Sequence, residues 1–468
     1  MSKYYPVFDL TFTANSPSKL HYDIQRLYPT PKVVKKKNST VIVFGSPIIG
    51  ENINHSDVAR KILDDEFLSS EFINSLNGEF LLVYVNFDKN IIQIANDRYT
   101  SIPVFYYSYN GTLKISIKYI DIARRIKQDG LWRLNKDVFF EFLWFRRLYG
   151  NHTYDLNSRY LKAARILTYN GNKVNLNTYW KPDFNKDTSS SINDFSHELA
   201  FNLHQSLTRK TSDISIDQAG LFLSGGMDTR AVLAAFISQD RVNTPTCFTV
   251  GYSKQGEYET ARKLTELASI PHRFIQLQHD YIVQHMKDKI ELSGGMYNQF
   301  ASIFLGYSEQ ITPYSKVLFH GHGLDYMFQG MYLPSKAINF FGKPTYFKNT
   351  TKLNSISDFS QYYTHNIDHR FRQLDIGNFL LPKQKERMLE SLYSSINKVV
   401  DEGHNVCNDN FDLWEYMLIH TMSRHYSQMD VSGIGTNGDQ RKIANDIDMM
   451  DLYLKMPLEV RKYAKVMR

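Results

Sequence analysis

Apolar positions follow two regimes along the chain. Up to about residue 180 they form short runs separated by turn residues. Residues 40–44 (TVIVF), 80–87 (FLLVYVNF), 91–95 (IIQIA), 104–107 (VFYY) and 113–117 (LKISI) are strand candidates. Asn77-Gly78, Asp88-Lys89-Asn90 and Asn110-Gly111 stand between them as turn signals. That rhythm predicts hairpins stacked into a sandwich. A helix is expected over 136–147, and a further hairpin over 163–176 turns at Asn170-Gly171-Asn172. The polar stretch 181–192 (KPDFNKDTSSSI) reads as a linker. Beyond it the pattern alternates: helix 194–207, strand 218–223, helix 228–237, strand 246–250, helix 257–268, then strands 274–277 and 316–319. Strands alternating with helices predict βαβ units and a parallel sheet. Residues 335–430 read as mainly helical, and no repeat of fixed period occurs.

Composition narrows the class. The chain has 468 residues, 42% hydrophobic residues and a formal net charge of +7, with mean hydropathy −0.40. This is a globular chain of roughly two to four domains, not a disordered or fibrous one. The densest basic run, Lys35-Lys36-Lys37, reads as a loop between Pro31 and Asn38. The remaining basic residues are scattered, so no nucleic-acid surface is expected. The two cysteines, Cys247 and Cys407, cannot build a disulfide framework or a cysteine zinc site. No apolar run approaches the roughly 20 residues of a membrane span, and the opening MSKYYPVFDLTF does not read as a signal peptide. A reducing, cytoplasmic compartment is the expectation.

The segment Leu221–Arg230 (LFLSGGMDTR) carries the chemistry. A buried strand ends at Leu223, Ser224-Gly225-Gly226 makes a tight turn, and a helix opens near Asp228. Two glycines let the backbone approach a ligand closely and permit positive φ. N–H groups of the turn and the helix N-terminus then converge on one spot, which suits an anion such as pyrophosphate. Ser224 and Thr229 can add hydroxyl donors. Asp228 by itself would repel phosphate, so its position makes sense if it holds Mg²⁺. A plain strand–turn–helix connection with a capping aspartate is the bland alternative.

This loop resembles the pyrophosphate-binding SGGxDS loop of ATP pyrophosphatases, with Thr229 for the final serine. Within that group the chain resembles the asparagine synthetase family, in four blocks of the same order. Residues 77–107 resemble the amidotransferase segment ending D-R-x-G-x-x-P-L-Y-Y: Asp97, Arg98, Pro103 and Tyr106 match, Phe105 replaces a tyrosine, and Thr100 stands at the glycine. Residues 317–332 (VLFHGHGLDYMFQGMY) resemble the G-D/E-G-A-D-E-x-F-G-G-Y block, and 439–457 resemble E-x-R-x-P-F-L-D followed by an apolar helix. The resemblance implies a mixed α/β and α+β architecture. An Ntn-type αββα glutamine amidotransferase-like domain would span 1–180, 181–192 would be the linker, and a Rossmann-like parallel PP-loop synthetase domain would span 193–468.

It further implies an ATP- and Mg²⁺-dependent ligase that activates a carboxylate as acyl-adenylate for a nitrogen nucleophile. Leu223, Ser224, Gly225, Gly226, Asp228, Thr229, Gly321 and Gly323 would bind ATP, with the adenine against the backbone of Val250 and Gly251. Asp228 and Asp325 would hold the metal. Tyr326 or His322 would serve as base, and Arg441 and Lys465 match the arginine and late lysine of the family. Departures are equally informative. Glutaminases of this family carry cysteine after Met1; here Ser2 follows, and neither cysteine lies in the first 200 residues, so glutaminase chemistry is not expected. Ammonia or an amine would be the donor. His322 and Tyr326 replace acids of the family block, and a GHGxD loop also resembles lasso-peptide cyclases, distant relatives alongside β-lactam synthetases. A lactam-forming cyclase and a catalytically inactive binding homologue therefore stay open as alternatives, and the oligomeric state is left open.

Overall fold

A computed structural model describes residues 6–468 except 15–16, 240–242, 299, 301, 349, 351–352, 368–375 and 425–426. Ser2, with Lys3 and Tyr4 after it, lies outside the described residues. The chain is mixed α/β, with two large antiparallel sheets, one parallel sheet and a small hairpin.

The first half stacks in four layers. One antiparallel sheet includes Val7–Thr13, Phe105–Tyr109 and Thr112–Ser116; the other includes Ser39–Ile49, Asn77–Asn86, Ile91–Asn96 and Arg165–Tyr169. Alternation along the strands decides the layering. Phe8, Leu10 and Phe12 meet Leu81, Val83, Val85, Ile92 and Ile94 between the sheets. The opposite face of the second sheet, with Val41, Val43, Leu82 and Tyr84, packs under helices His55–Asp65 and Ser70–Ser75. Phe105 and Tyr107 on the outer face of the first sheet pack on helix Tyr119–Gln128.

Two turn readings need correction. Asn77 and Gly78 open a strand rather than turn before it; Gly78 takes φ +84°, and a Cβ there would lie 2.5 Å from the Ser46 carbonyl oxygen. The lysine run is not a loop. Lys35 and Lys36 end the edge strand Lys32–Lys36, exposed, and only Lys37 turns, at φ +44°. Lysines on an edge strand oppose pairing with a second chain. Thr100, at the glycine of the resembled pattern, adopts φ +49°, a conformation that a β-branched residue adopts at a cost of about 1–3 kcal/mol.

In the second half, five parallel strands run in the order His272–Gln276, Thr246–Gly251, Ala219–Phe222, Val317–His320 and Asp439–Lys442. Helices Ile192–Lys210, Met227–Ile237 and Ile447–Lys455 cover one face through Leu203, Leu207, Val232, Phe236 and Met450. Phe222, Phe248 and Leu318 face a second cluster with Tyr281, Leu305 and Ile434. The stretch 335–430 opens on a hairpin, Ser335–Phe340 with Lys343–Lys348, before helices Pro382–Gly403 and Asn410–His420. The stretch is mainly helical, as expected, apart from that hairpin. No helix among the described residues is long and apolar enough to cross a membrane.

The linker region is pinned. Phe184 is buried, and Lys186 donates to Glu415 (2.7 Å) and to the Leu454 carbonyl (2.8 Å). A polar seam joins the antiparallel layers to the parallel sheet. Lys210 pairs with Glu79 at 2.7 Å, both buried, and the second Glu79 oxygen accepts the Lys442 N–H at 2.8 Å. Asn77 donates to Asp446 at 2.9 Å and accepts the Ile447 N–H at 3.0 Å. Removing one partner of a buried pair strands the other charge. Lys210→Met is expected to lower unfolding stability by about 3 kcal/mol, and the double variant with Glu79→Met to recover most of that loss; denaturant melts of the single and double variants check it.

Candidate active site

Strand order places the site. From Ala219–Phe222 the chain crosses to one side of the sheet for the next two strands, then returns to the other side at Val317–His320. Between those two strands the crossover direction reverses, and at such a switch point the loops beyond the carboxyl ends part to leave a crevice. A cleft of about 280 Å³ lies there, lined among others by Ser224, Gly226, Asp228, Thr229, Gly321, His322, Asp325 and Asp430.

The first loop follows strand Ala219–Phe222. Leu223 still belongs to the sheet, its N–H donating to the Phe248 carbonyl at 2.8 Å. Gly226 precedes helix Met227–Ile237, whose first-turn N–H groups have no intrahelical acceptor. Neither Gly225 nor Gly226 takes positive φ, which corrects one reason for expecting glycine there. Crowding is the reason that holds: a Cβ on Gly225 would lie 3.1 Å from Thr260 Cβ, and one on Gly226 3.1 Å from Ser224 Oγ. The hydroxyls of Ser224 and Thr229 bond each other at 3.0 Å, and Ser224 Oγ accepts the Gly226 N–H at 3.1 Å. They brace the turn, which stays open, with Gly226 exposed.

The second loop, between Val317–His320 and helix Leu324–Phe328, touches the first. A Cβ on Gly321 would fall 2.6 Å from Asp228 Cβ and 2.9 Å from its carbonyl carbon. Gly323 takes φ +101°, and its Cβ would meet Ala444 Cβ at 2.8 Å. This closeness sets Asp325 beside Asp228. Burial first, then the Asp325 charge, pushes the Asp228 carboxyl up to about 7. Gln329 Nε2 donates to Asp228 at 2.6 Å and the Tyr332 hydroxyl to Asp325 at 2.8 Å, fixing both. Among the described residues no group of three or more His, Cys, Asp or Glu gathers as a metal site. Two repelling carboxylates do fit Mg²⁺, which takes one or two protein carboxylates and completes its shell with phosphate oxygens and water.

His322 lies in a chain of imidazoles. His320 is buried and held neutral, burial pushing its pKa well down. Its Nδ1 accepts the His322 N–H at 3.2 Å and lies 2.9 Å from His322 Nδ1. That contact makes His322 Nδ1 the protonated nitrogen, leaving Nε2 as acceptor, 3.9 Å from Asp430.

Not every expected residue converges here. Tyr326 is buried, its hydroxyl accepting from Arg147 at 3.1 Å, and burial raises its pKa. Its role as base is corrected: the helix turns it into the core shared by Tyr149, Tyr332 and Trp414. Arg441 lies outside the cleft, buried with Asp439 (2.6 Å) and Asp213 (2.6 Å). Lys465 is exposed and donates to the Glu459 carbonyl at 3.2 Å. Val250 and Gly251 end the neighbouring strand outside the cleft lining, and the Gly251 carbonyl accepts the Leu277 N–H at 2.8 Å. Conversely, Gln329 and Tyr332 sit inside the quoted 317–332 block without a role having been read for them. His320, two residues before His322, was adjacent in the sequence, whereas Asp430 had no local signal and only tertiary placement brings it to His322.

Comparison with curated proteins gives no match. Similar solved structures include a glutamine phosphoribosylpyrophosphate amidotransferase from B. subtilis complexed with ADP and GMP (8% identity, 60% of this chain and 64% of that one). They also include an allosteric regulatory enzyme of purine biosynthesis (8%; 69% and 70%) and the U34-tRNA thiolase NcsA from Methanococcus maripaludis with its 4Fe-4S cluster (16%; 49% and 81%). Each has a TM-score of 0.22 and carries none of the argument. The family model described as asparagine synthase matches residues 198–399, which include both cleft loops. Over residues 198–399 the chain is therefore similar to the asparagine synthase family.

Proposed function

We propose that the chain is an ATP-dependent, AMP- and pyrophosphate-forming carbon–nitrogen ligase that converts a carboxylate to an amide. The observation that carries this reading is the open Ser224–Gly226 turn sharing one cleft with Asp228 and Asp325. Turn and helix N–H groups would hold the β- and γ-phosphates, and Asp228 with Asp325 would hold Mg²⁺. The metal supplies charge neutralisation for the departing pyrophosphate. The cleft residues orient the substrate carboxylate toward the α-phosphorus, giving an acyl-adenylate and pyrophosphate, and the cleft must exclude water from that ester.

A nitrogen nucleophile, ammonia or an amine, then displaces AMP. It loses a proton, and His322 Nε2 is the acceptor in the right tautomer, with Asp430 near enough to stabilise the imidazolium that results. Arg441 and Lys465 are left with structural roles. The parallel strand order supports a Rossmann-like PP-loop domain over 193–468, after the segment 181–192. The helix–sheet–sheet–helix layering supports an Ntn-type, amidotransferase-like domain over 1–180, where the sequence supplies no cysteine thiol.

Three outcomes test this. ATP–pyrophosphate exchange driven by a substrate carboxylate should fall at least about a hundredfold in Asp228→Asn; full exchange in that variant defeats the assignment. His322→Ala should keep exchange and lose about a hundredfold in amide formation, measured by product mass. The third outcome is thermodynamic. Asp228 titrates near 7 folded against 3.8 ordinarily, so between those values the folded state binds more protons. Stability in chelator therefore falls as pH rises through that window. Asp228→Asn should flatten the fall and add on the order of 1 kcal/mol near pH 8 by denaturant melts.

A further inference from the structure

A second cavity, about 290 Å³, lies away from the cleft, where the antiparallel layers, residues 180–182 and the ends of two long helices meet. Its lining includes Arg98, Lys162, Arg165 and Lys181 against a single carboxylate, Glu402. Glu402 is already spent on Lys162, at 2.6 and 2.8 Å. Arg98 is 8% exposed. It donates to the Asn74 carbonyl and side-chain oxygens at 2.9 and 3.0 Å and lies 5.1 Å from the Trp180 ring centre, while its buried Nε has no partner. Asp451 feels the Arg98 charge, which works against the rise that burial causes in its pKa, but Asp451 does not line the cavity. Among the described residues the Arg165 side chain bonds the carbonyls of Ala163 and Ala164, at 3.0 and 3.4 Å, and makes no ion pair, Glu402 acting on it only electrostatically. His420 closes one side. Its Nε2 accepts the Gly150 N–H at 3.2 Å, and burial with Lys162, Arg424 and Arg165 holds it neutral.

Burying cations without counter-charge is costly. The cost is visible in Lys162 and Arg165, whose pKa values burial pulls down. Guanidinium and ammonium donors around one partly open space are the donor set for carboxylate or phosphate oxygens.

We infer that this cavity is a binding site for a small multivalent oxyanion, a polycarboxylate or a polyphosphate, held by Arg98, Arg165 and Lys181. The ligand would tie residues 162–165 and 178 to helices Pro382–Gly403 and Asn410–His420 across residues 180–182. Occupancy would therefore stabilise the whole chain. The site is separate from the cleft and stands whether or not the ligase reading does.

The test is calorimetric titration of the full-length chain, in chelator at low salt, with citrate in one arm and inorganic pyrophosphate in the other. Saturable binding with Kd below about 1 mM is expected in at least one arm, together with a rise in melting temperature and a change in tryptophan emission that Trp180→Phe abolishes. Saturation by citrate alone assigns carboxylate; by pyrophosphate alone, phosphate. Arg165→Gln should weaken binding about tenfold and the exposed Lys181→Gln about threefold. If Arg165→Gln does not fold, Lys181→Gln decides. No saturation of either ligand at ~10 mM, or equal affinity in the folded variants, overturns the proposal.

Discussion

Gly321 lies so close to Asp228 that one added carbon would sit 2.6 Å from the aspartate Cβ. Much of the candidate site depends on that contact. The two loops leave the sheet from adjacent strands at the point where crossover direction reverses, and only a residue without a side chain lets them meet. Because they meet, the Asp228 carboxyl lies largely buried beside the Asp325 charge, and burial first, then that charge, pushes it up to about 7.

Around this centre the chain uses charge in two different ways. At the seam between the halves Lys210 pairs with Glu79, both buried, and next to it in the second half the buried Arg441 pairs with Asp439 and with the exposed Asp213, and these ion pairs fix orientation. At the cleft and at the cavity near Arg165, like charges are gathered with too few partners. The first pattern resists rearrangement; the second leaves energy for a ligand to recover. His322 stands between the two, since His320 fixes its tautomer while its second nitrogen faces the cleft. Tyr326, four residues on, shows how narrow the distinction is. One turn of helix carries it from the cleft rim into a core of aromatic rings.

Much of this was legible from residue order. The run of short strands before residue 180 and the strand–helix alternation after 193 emerge because period-2 and period-3.6 patterning are local properties. The Ser224–Asp228 turn was readable for the same reason: its glycines, hydroxyls and helix start are contiguous. Asn77-Gly78 and Lys35–Lys37 misled because turn-forming and basic residues also serve at strand starts and on sheet edges, and neighbouring strands decide which.

Sequence by itself determined the two kinds of sheet, the Ser224–Gly226 turn and the presence of Asp325 in a second glycine-bearing loop, since each is written in consecutive residues. Tertiary structure alone decided that Asp430 faces His322, that Gln329 and Tyr332 hold the two aspartates, that Arg441 belongs to an ion-pair seam, and that Arg98, Arg165 and Lys181 surround one space. Most of those groups lie tens to hundreds of residues apart, Tyr332 and Asp325 only seven. Their meeting is fixed by strand order and by the core contacts that press the layers together, and no local pattern encodes it.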